Sequence, residues 1–452
     1  MKLTRRSVLV SLCALPLAPA CTIAPPSDVP PGDGTPRAVT TGGPELDPWV
    51  PPQTLDPTAF AWGVQSADAT ADAVLLGLQT DEPVLGVRVM EATAAGWTEV
   101  LATDDLATSD GHLHVEVTGL RADHSHAFVF ITPDGRRSDV GRFRTALGEA
   151  DYRTVVFGAS SCLGSAGRPF PTLSNAAEER LDFFCLLGDT VYADGSINEA
   201  QYRAEYRQTF RQQGFRDLTA STSLVATWDD HEVDNNYVPS DPAIEARFPA
   251  ALQVFGEALP YREGPGGNGI WRSLRWGDVL ELFVLDCRSE RRDGNYMSPE
   301  QMDWFKQGLA ASSARFKIVL NSVAIQDYTA FFGEVFIEDR WDGYAQRTEI
   351  IDWIFTEQIE GIFWIAGDYH FGSLGTVDPP GLRGDHMWEA LAGPGGSNPL
   401  TVADLFTPNE QVPFFIVDWT WLRVEADPVA GTLALQFIDG DGEIVQERTI
   451  EA

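Results

Sequence analysis

Phe183-Phe184-Cys185-Leu186-Leu187-Gly188-Asp189-Thr190-Val191-Tyr192 decides the fold: five consecutive apolar side chains run straight into a turn carrying a carboxylate and a phenol. A short, uninterrupted apolar run marks a strand buried on both faces, as in the sheets of α/β proteins. Ligands in such sheets gather where several strand ends meet. Five further segments repeat the arrangement. Val155-Val156-Phe157-Gly158 leads to Ser161-Cys162, and residues 224–227 lead into Trp228-Asp229-Asp230-His231-Glu232. Residues 282–285 run into Asp286-Cys287-Arg288, 318–320 into Asn321, and 362–366 into Gly367-Asp368-Tyr369-His370. One edge of the sheet is therefore expected to collect carboxylates, two His, a Tyr and a Cys.

These residue types in this order suit metal chemistry. A carboxylate such as Asp189 can bridge two cations with its two oxygens, and the Tyr192 phenolate, a hard anionic ligand, favours Fe(III) over Zn(II). The cluster 229–232 supplies further carboxylates with a His beside them. Asp368 and His370, two residues apart, face the same way if strand geometry persists. Two ions about 3.5–4 Å apart clamp the attacking and departing oxygens in phosphoryl transfer. A purely structural role for every one of these groups would bury many unpaired charges, which is costly.

Composition narrows the alternatives. With 452 residues, 44% of them hydrophobic, and 13 Trp and 25 Phe, the chain has enough apolar mass for sizeable cores, which excludes disorder as its main state. Against 66 Asp plus Glu stand 32 Lys plus Arg, and the formal charge of -34 repels nucleic-acid phosphates. The acidity reads as solubility or adaptation to a salty medium rather than as a binding surface.

Residues 1–20 read as a targeting segment: Thr4-Arg5-Arg6-Ser7-Val8-Leu9 puts paired arginines before an apolar run too short to span a bilayer. It resembles a twin-arginine export signal, and Leu17-Ala18-Pro19-Ala20-Cys21 resembles a lipoprotein cleavage box with Cys21 as the lipidated residue. The expected location is periplasmic, on the cell surface as a lipoprotein, or secreted. Residues 21–58, rich in Pro and Gly, read as a linker. Residues 59–148 carry short alternating runs at 60–64, 73–78, 85–89, 112–117 and 127–131, the pattern of an immunoglobulin or fibronectin-type β-sandwich. Residues 149–452 form the α/β part, closing in antiparallel strands with a hairpin turn at Asp439-Gly440-Asp441-Gly442. Two His pairs, His112 with His114 and His124 with His126, read as an exposed polar face of the sandwich. Cys185 and Cys287, inside apolar runs, read as buried thiols.

Taken together, the sandwich, Ser161-Cys162, Gly188-Asp189-Thr190-Val191-Tyr192, Trp228-Asp229-Asp230-His231-Glu232-Val233, Gly267-Asn268-Gly269-Ile270-Trp271-Arg272, Leu285-Asp286-Cys287-Arg288 and Gly367-Asp368-Tyr369-His370 resemble the PhoD-like alkaline phosphatases and phosphodiesterases of the calcineurin-like metallophosphoesterase superfamily. The resemblance implies a four-layered α/β/β/α metallophosphoesterase domain behind the N-terminal sandwich. It implies Fe(III) held by Cys162, Asp189, Tyr192 and His370. It also implies one or two Ca ions, or other divalent metals, sharing Asp189 and using Asp230 and Asp368. His231 would stabilise phosphoryl charge or protonate the leaving oxygen, and Arg288 would fork the phosphate. The implied reaction is in-line attack of a metal-bound hydroxide on phosphorus. Monoester, diester and phospholipase D-type substrates all fit, so the partner is a phosphate-ester small molecule or lipid. Membrane contact is expected only through the lipid anchor, and the chain is expected to be a monomer. Two positions depart from the family pattern: Glu290 stands where Tyr is usual, and Tyr369 where Val is frequent. A reading from another class is a non-catalytic surface lipoprotein binding module. Loss of a ligand would be its signature, and none of the carried positions is missing.

Overall fold

Alternation along the apolar runs builds the molecule in layers. In the strand Phe183–Leu187, Phe183, Cys185 and Leu187 face one way and Phe184 and Leu186 the other, as a period of two requires, and every one of the five is buried. The computed structural model describes residues 8–11, 39–149, 151–164, 169–292, 294–333, 340–341 and 344–451. Val155–Ser160, Phe183–Leu187 and Ser223–Thr227 pair in parallel at the centre of a ten-stranded sheet. Thr420–Asp427, Thr432–Asp439 and Ile444–Glu451 extend it on one side as an antiparallel meander. The turn expected at residues 439–442 joins the last two of these strands.

A seven-stranded sheet holds Arg272–Trp276, Leu280–Val284, Phe316–Leu320, Ile362–Ala366, Trp388–Leu391, Gly372–Thr376 and Phe414–Ile416 in that order. The two sheets face each other across one core, where Phe157, Phe183, Leu187 and Val225 meet Leu282, Ile318, Phe363 and Ile365. Helices cover both outer faces. Glu199–Phe210, Gln213–Ser221 and Pro242–Ala258 pack over Phe184, Leu186 and Leu224. Pro299–Ala311 and Ala345–Glu357 pack over Phe283, Val319 and Trp364. Two of these helices start as the sequence dictates: Asp241 caps ahead of Pro242 and Ser298 ahead of Pro299, each side chain accepting a hydrogen bond from an early amide.

Ahead of these layers, Val84–Thr93, Gly96–Ala107, Ser125–Ile131 and Gly141–Arg144 belong to a six-stranded sheet. Its Val87, Val89, Phe128 and Phe130 pack on Val74, Leu76 and Val115 of Ala73–Gln79 and His112–Thr118. Those last two strands are not separate from the layers that follow. Through Gln65–Ala67, which pairs in parallel with Ser223–Thr227, they continue the ten-stranded sheet.

Two local expectations are corrected. Residues 60–64 form a turn, and the strand begins at Gln65. The histidines do not make an exposed face: His112 is buried 3.8 Å from Glu257, and His126 is buried 3.5 Å from Glu91, stacked on Phe143 at 4.8 Å. Cys185 and Cys287 are buried free thiols, as expected. Of the expected export segment, only Val8–Ser11 is described, as a strand beside His112–Thr118; Arg5, Arg6 and Cys21 lie outside the described residues. Among the described residues no helix is long and apolar enough to cross a membrane.

Candidate active site

The polar clusters meet where the parallel strands of both sheets end. Glycine makes the approach possible at two of these ends. A Cβ on Gly188 would stand 2.4 Å from the Asp229 Cβ, and one on Gly367 would stand 2.5 Å from the Ser161 Cβ across the sheet interface. The turns are tightly wound. Cys162, Asp189, Asn236, Asp368 and His370 all have positive φ, between 49° and 70°, a conformation that costs free energy and collects at functional sites.

Three trios of donor atoms result, each with its atoms within 4.8 Å of one another: Cys162, Asp189 and His370; Asp189, Asp230 and His231; and Asp229, Asp230 and Asp368. Asp189 belongs to two of them. The Tyr192 hydroxyl joins the first, 3.2 Å from Asp189 Oδ2 and 3.0 Å from His370 Nε2. Each His is oriented from behind. His370 Nδ1 lies 2.8 Å from the Asn398 carbonyl, which leaves Nε2 toward Tyr192, the second-sphere arrangement that fixes a metal-binding imidazole. His231 Nδ1 lies 2.8 Å from Asp194 Oδ2, and the His231 ring stacks on Tyr192 with centroids 4.0 Å apart.

Electrostatics set this cluster apart. Burial, then the charge of Asp230, pushes the Asp189 carboxyl well above its usual range. Burial and Asp189 raise the Cys162 thiol and the Tyr192 phenol. Burial pushes Asp229 up to about 6, with Arg288 opposing the rise. At Asp230 burial is outweighed by Arg288 and His231, and the carboxyl is lowered. His231 rises to about 10, because Asp194, Asp189 and Asp230 together outweigh its burial. Among the described residues, buried Asp230 Oδ1 has no hydrogen-bond partner. Thiol, phenol, imidazole and bridging carboxylate form a donor set suited to a hard trivalent ion with one soft ligand, and the carboxylates around Asp230 suit an oxygen-loving divalent ion. The residues present therefore fit two cations.

A cavity of about 280 Å³ opens over the cluster, lined by Asp189, Asp230, His231, Asp368 and His370, with Phe332, Tyr369 and Leu400 forming an apolar wall. Arg288, expected at the phosphate, lies among the carboxylates. It is fully buried, ion-paired with Asp229, and 3.4 Å from Asp368 Oδ1 and 3.7 Å from Asp230 Oδ1. Its guanidinium pairs with these carboxylates and is not among the residues that line the cavity. Tyr369 stands in the wall, packed edge-on against Tyr328. Glu290 lies away from the cavity and accepts hydrogen bonds from Trp271, Ser298 and Gln301.

Sequence reading missed Asp194, which follows no apolar run, and the loop Gly393 to Asn398. Its signal was the Gly-Pro-Gly-Gly string behind the short strand Trp388–Leu391. Gly395 N and Ser397 N donate to the Ser161 and Cys162 carbonyls, at 2.8 and 2.9 Å.

The profile of the PhoD-like phosphatase family matches residues 157–412. Alkaline phosphatase D of Bacillus subtilis (strain 168) is 27% identical over 379 residues, a match covering 69% of this chain and 64% of that protein's length. The solved structure of PhoD superposes with a TM-score of 0.73 at 22% identity, over 87% of this chain and 89% of that one. The purple acid phosphatase PPD1 of yellow lupin (Lupinus luteus) seeds gives 0.63 at 14% identity, over 86% and 74%. These last two likenesses establish the mixed α/β fold.

Proposed function

The chain belongs to the PhoD-like phosphatase family, and from that premise we propose that it is an exported, binuclear metal-dependent hydrolase of phosphate esters. The observation that carries the reading is Asp189, common to a thiol–imidazole trio and a carboxylate–imidazole trio. In this reading Cys162, Asp189, Tyr192 and His370 would hold Fe(III), and Asp189, Asp230 and Asp368 would hold Ca. Bound there, such ions neutralise phosphate charge and lower the pKa of water. The chain's own residues do the rest. His231, oriented by Asp194, holds a proton on the cavity side and gives it to the leaving oxygen. Arg288 stabilises the carboxylates from behind. Phe332, Tyr369 and Leu400 give the ester's alcohol an apolar surface and keep water off that side. The paired arginines at residues 5 and 6 support export, the sequence before Cys21 supports a lipid anchor, and the N-terminal sheets suit a fibronectin-like sandwich.

The test compares initial rates on a nitrophenyl phosphate monoester and a bis-nitrophenyl diester, using protein loaded with iron and calcium. Turnover of either supports the reading, and their ratio assigns the ester class. No turnover of either, with both metals bound, overturns it in favour of a binding module.

A further inference from the structure

Glu232 sits in the most distinctive motif of the chain, yet among the described residues it enters none of the three donor trios. Its carboxylate is fully buried and turned toward main chain. Oε2 accepts from the amides of Asp189 at 3.0 Å and Asp229 at 2.9 Å, and Oε1 accepts from the amide of Thr190 at 2.7 Å. The two turns it joins follow adjacent parallel strands, with Leu187 in register with Thr227. One carboxylate thus ties the turn carrying Asp189 to the turn carrying Asp229 and Asp230. Three buried amides have it as their acceptor, and leaving such groups unmet is costly.

We propose that Glu232 is a positioning residue that fixes the separation of Asp189 from Asp230, and so the spacing of the two cation sites, through these three amides. The inference rests on the metallohydrolase reading above. An acceptor-only group is required here. An amide of the same shape would turn an N–H against one of the three donors, breaking one side of the tie and letting the turns relax apart. Geometry at a metal centre is sensitive to such outer partners, whose loss lowers metal affinity by about 10- to 100-fold.

The comparison residue is Glu389, in the other sheet. It is also fully buried and also accepts two amides, from Ile325 at 2.9 Å and Gln326 at 2.8 Å, but it lies away from the cavity lining. Wild type, Glu232→Gln and Glu389→Gln would be purified from medium containing iron and calcium. Metal per chain, titration of metal-depleted protein with calcium, the visible tyrosinate-to-iron band and the thermal midpoint would then be measured. The expected result is an E232Q protein with native circular dichroism, calcium affinity lowered by about 10- to 100-fold and a shifted or lost visible band. E389Q should melt earlier with wild-type affinity and band. Should E232Q fail to accumulate folded, Glu232→Asp, which keeps the charge but shortens the reach, is expected to show a smaller shift of the same band. A wild-type band and calcium affinity in either Glu232 variant would overturn the proposal while leaving the metallohydrolase reading intact. A wild type that binds neither metal would overturn both.

Discussion

Arg272 and Arg288 invite comparison. Both are buried, both fork a buried aspartate, and they lie at the same end of the second sheet, Arg272 opening one strand and Arg288 following its antiparallel neighbour. Around Arg272 the charges cancel. Asp68 takes its Nε and Nη2 at 2.7 and 2.8 Å and the Arg262 amide at 2.6 Å, while Nη1 donates to the Ala226 and Ile270 carbonyls. Around Arg288 they do not. Asp229, Asp230 and Asp368 share one guanidinium, and Asp189 with Asp230 stands beside the His231 imidazole. A matched buried pair fastens segments together; a surplus of buried carboxyls is relieved by taking up protons or cations, and burial already raises Asp189 and Asp229. The difference sets the joint apart from the candidate site without reference to any motif.

Breaking the unbalanced cluster should have the largest effect. Asp189→Asn removes the shared carboxylate, and kcat/KM is expected to fall by about a thousandfold or more, about 4 kcal/mol, with iron and calcium per chain falling alongside. Turnover unchanged in that variant with metal still bound would refute the site. On the balanced side, Arg272→Met strands Asp68, and denaturant melts should give a stability lower by roughly 3–5 kcal/mol with metal content unchanged. Asp194→Asn leaves the charge surplus in place but releases His231, so kcat should drop by about 10- to 100-fold while KM holds.

A further balanced acid, Glu91, sharpens the contrast through pH. Burial opposes its ionisation, but His126 and Arg121 hold it down at about 2. Its stabilising contribution is therefore complete above the ordinary value of 4.5 and is lost as pH falls toward 2. Glu91→Gln should cost about 1–3 kcal/mol at neutral pH and flatten the acid limb of the melting curve. Smallest of all, Tyr369→Val trims the apolar wall and should raise KM for the nitrophenyl ester by less than about fivefold, within 1 kcal/mol.

How far these two regions could be read from sequence differs as well. Cys162, Asp189, Asp230, Asp368 and His370 were legible because each follows a strand buried on both faces, where apolar runs leave a plain signal. The chain reveals which residues reach the edge but not how they turn there. Arg288 could be placed, yet its pairing with Asp229 depends on a neighbour 59 positions away. The balanced joint was invisible. Asp68 ends a three-residue strand, Gln65–Ala67, whose pairing with Ser223–Thr227 rests on two register pairs and carries no apolar period. His112 and His126 were misread for a related reason: a polar type was taken for an exposed position, whereas Glu257 and Glu91 give each a buried partner.

That short strand has a consequence for how the chain can be cut. Strip away the N-terminal strands and Ser223–Thr227, the element leading to Asp229 and Asp230, loses its outer neighbour and becomes an open hydrogen-bonding rim of five buried, mostly apolar residues. Such a rim recruits other chains. A fragment cut free of the N-terminal strands is therefore expected to fail first by clumping, read as aggregation in size-exclusion chromatography, before any loss of its chemistry.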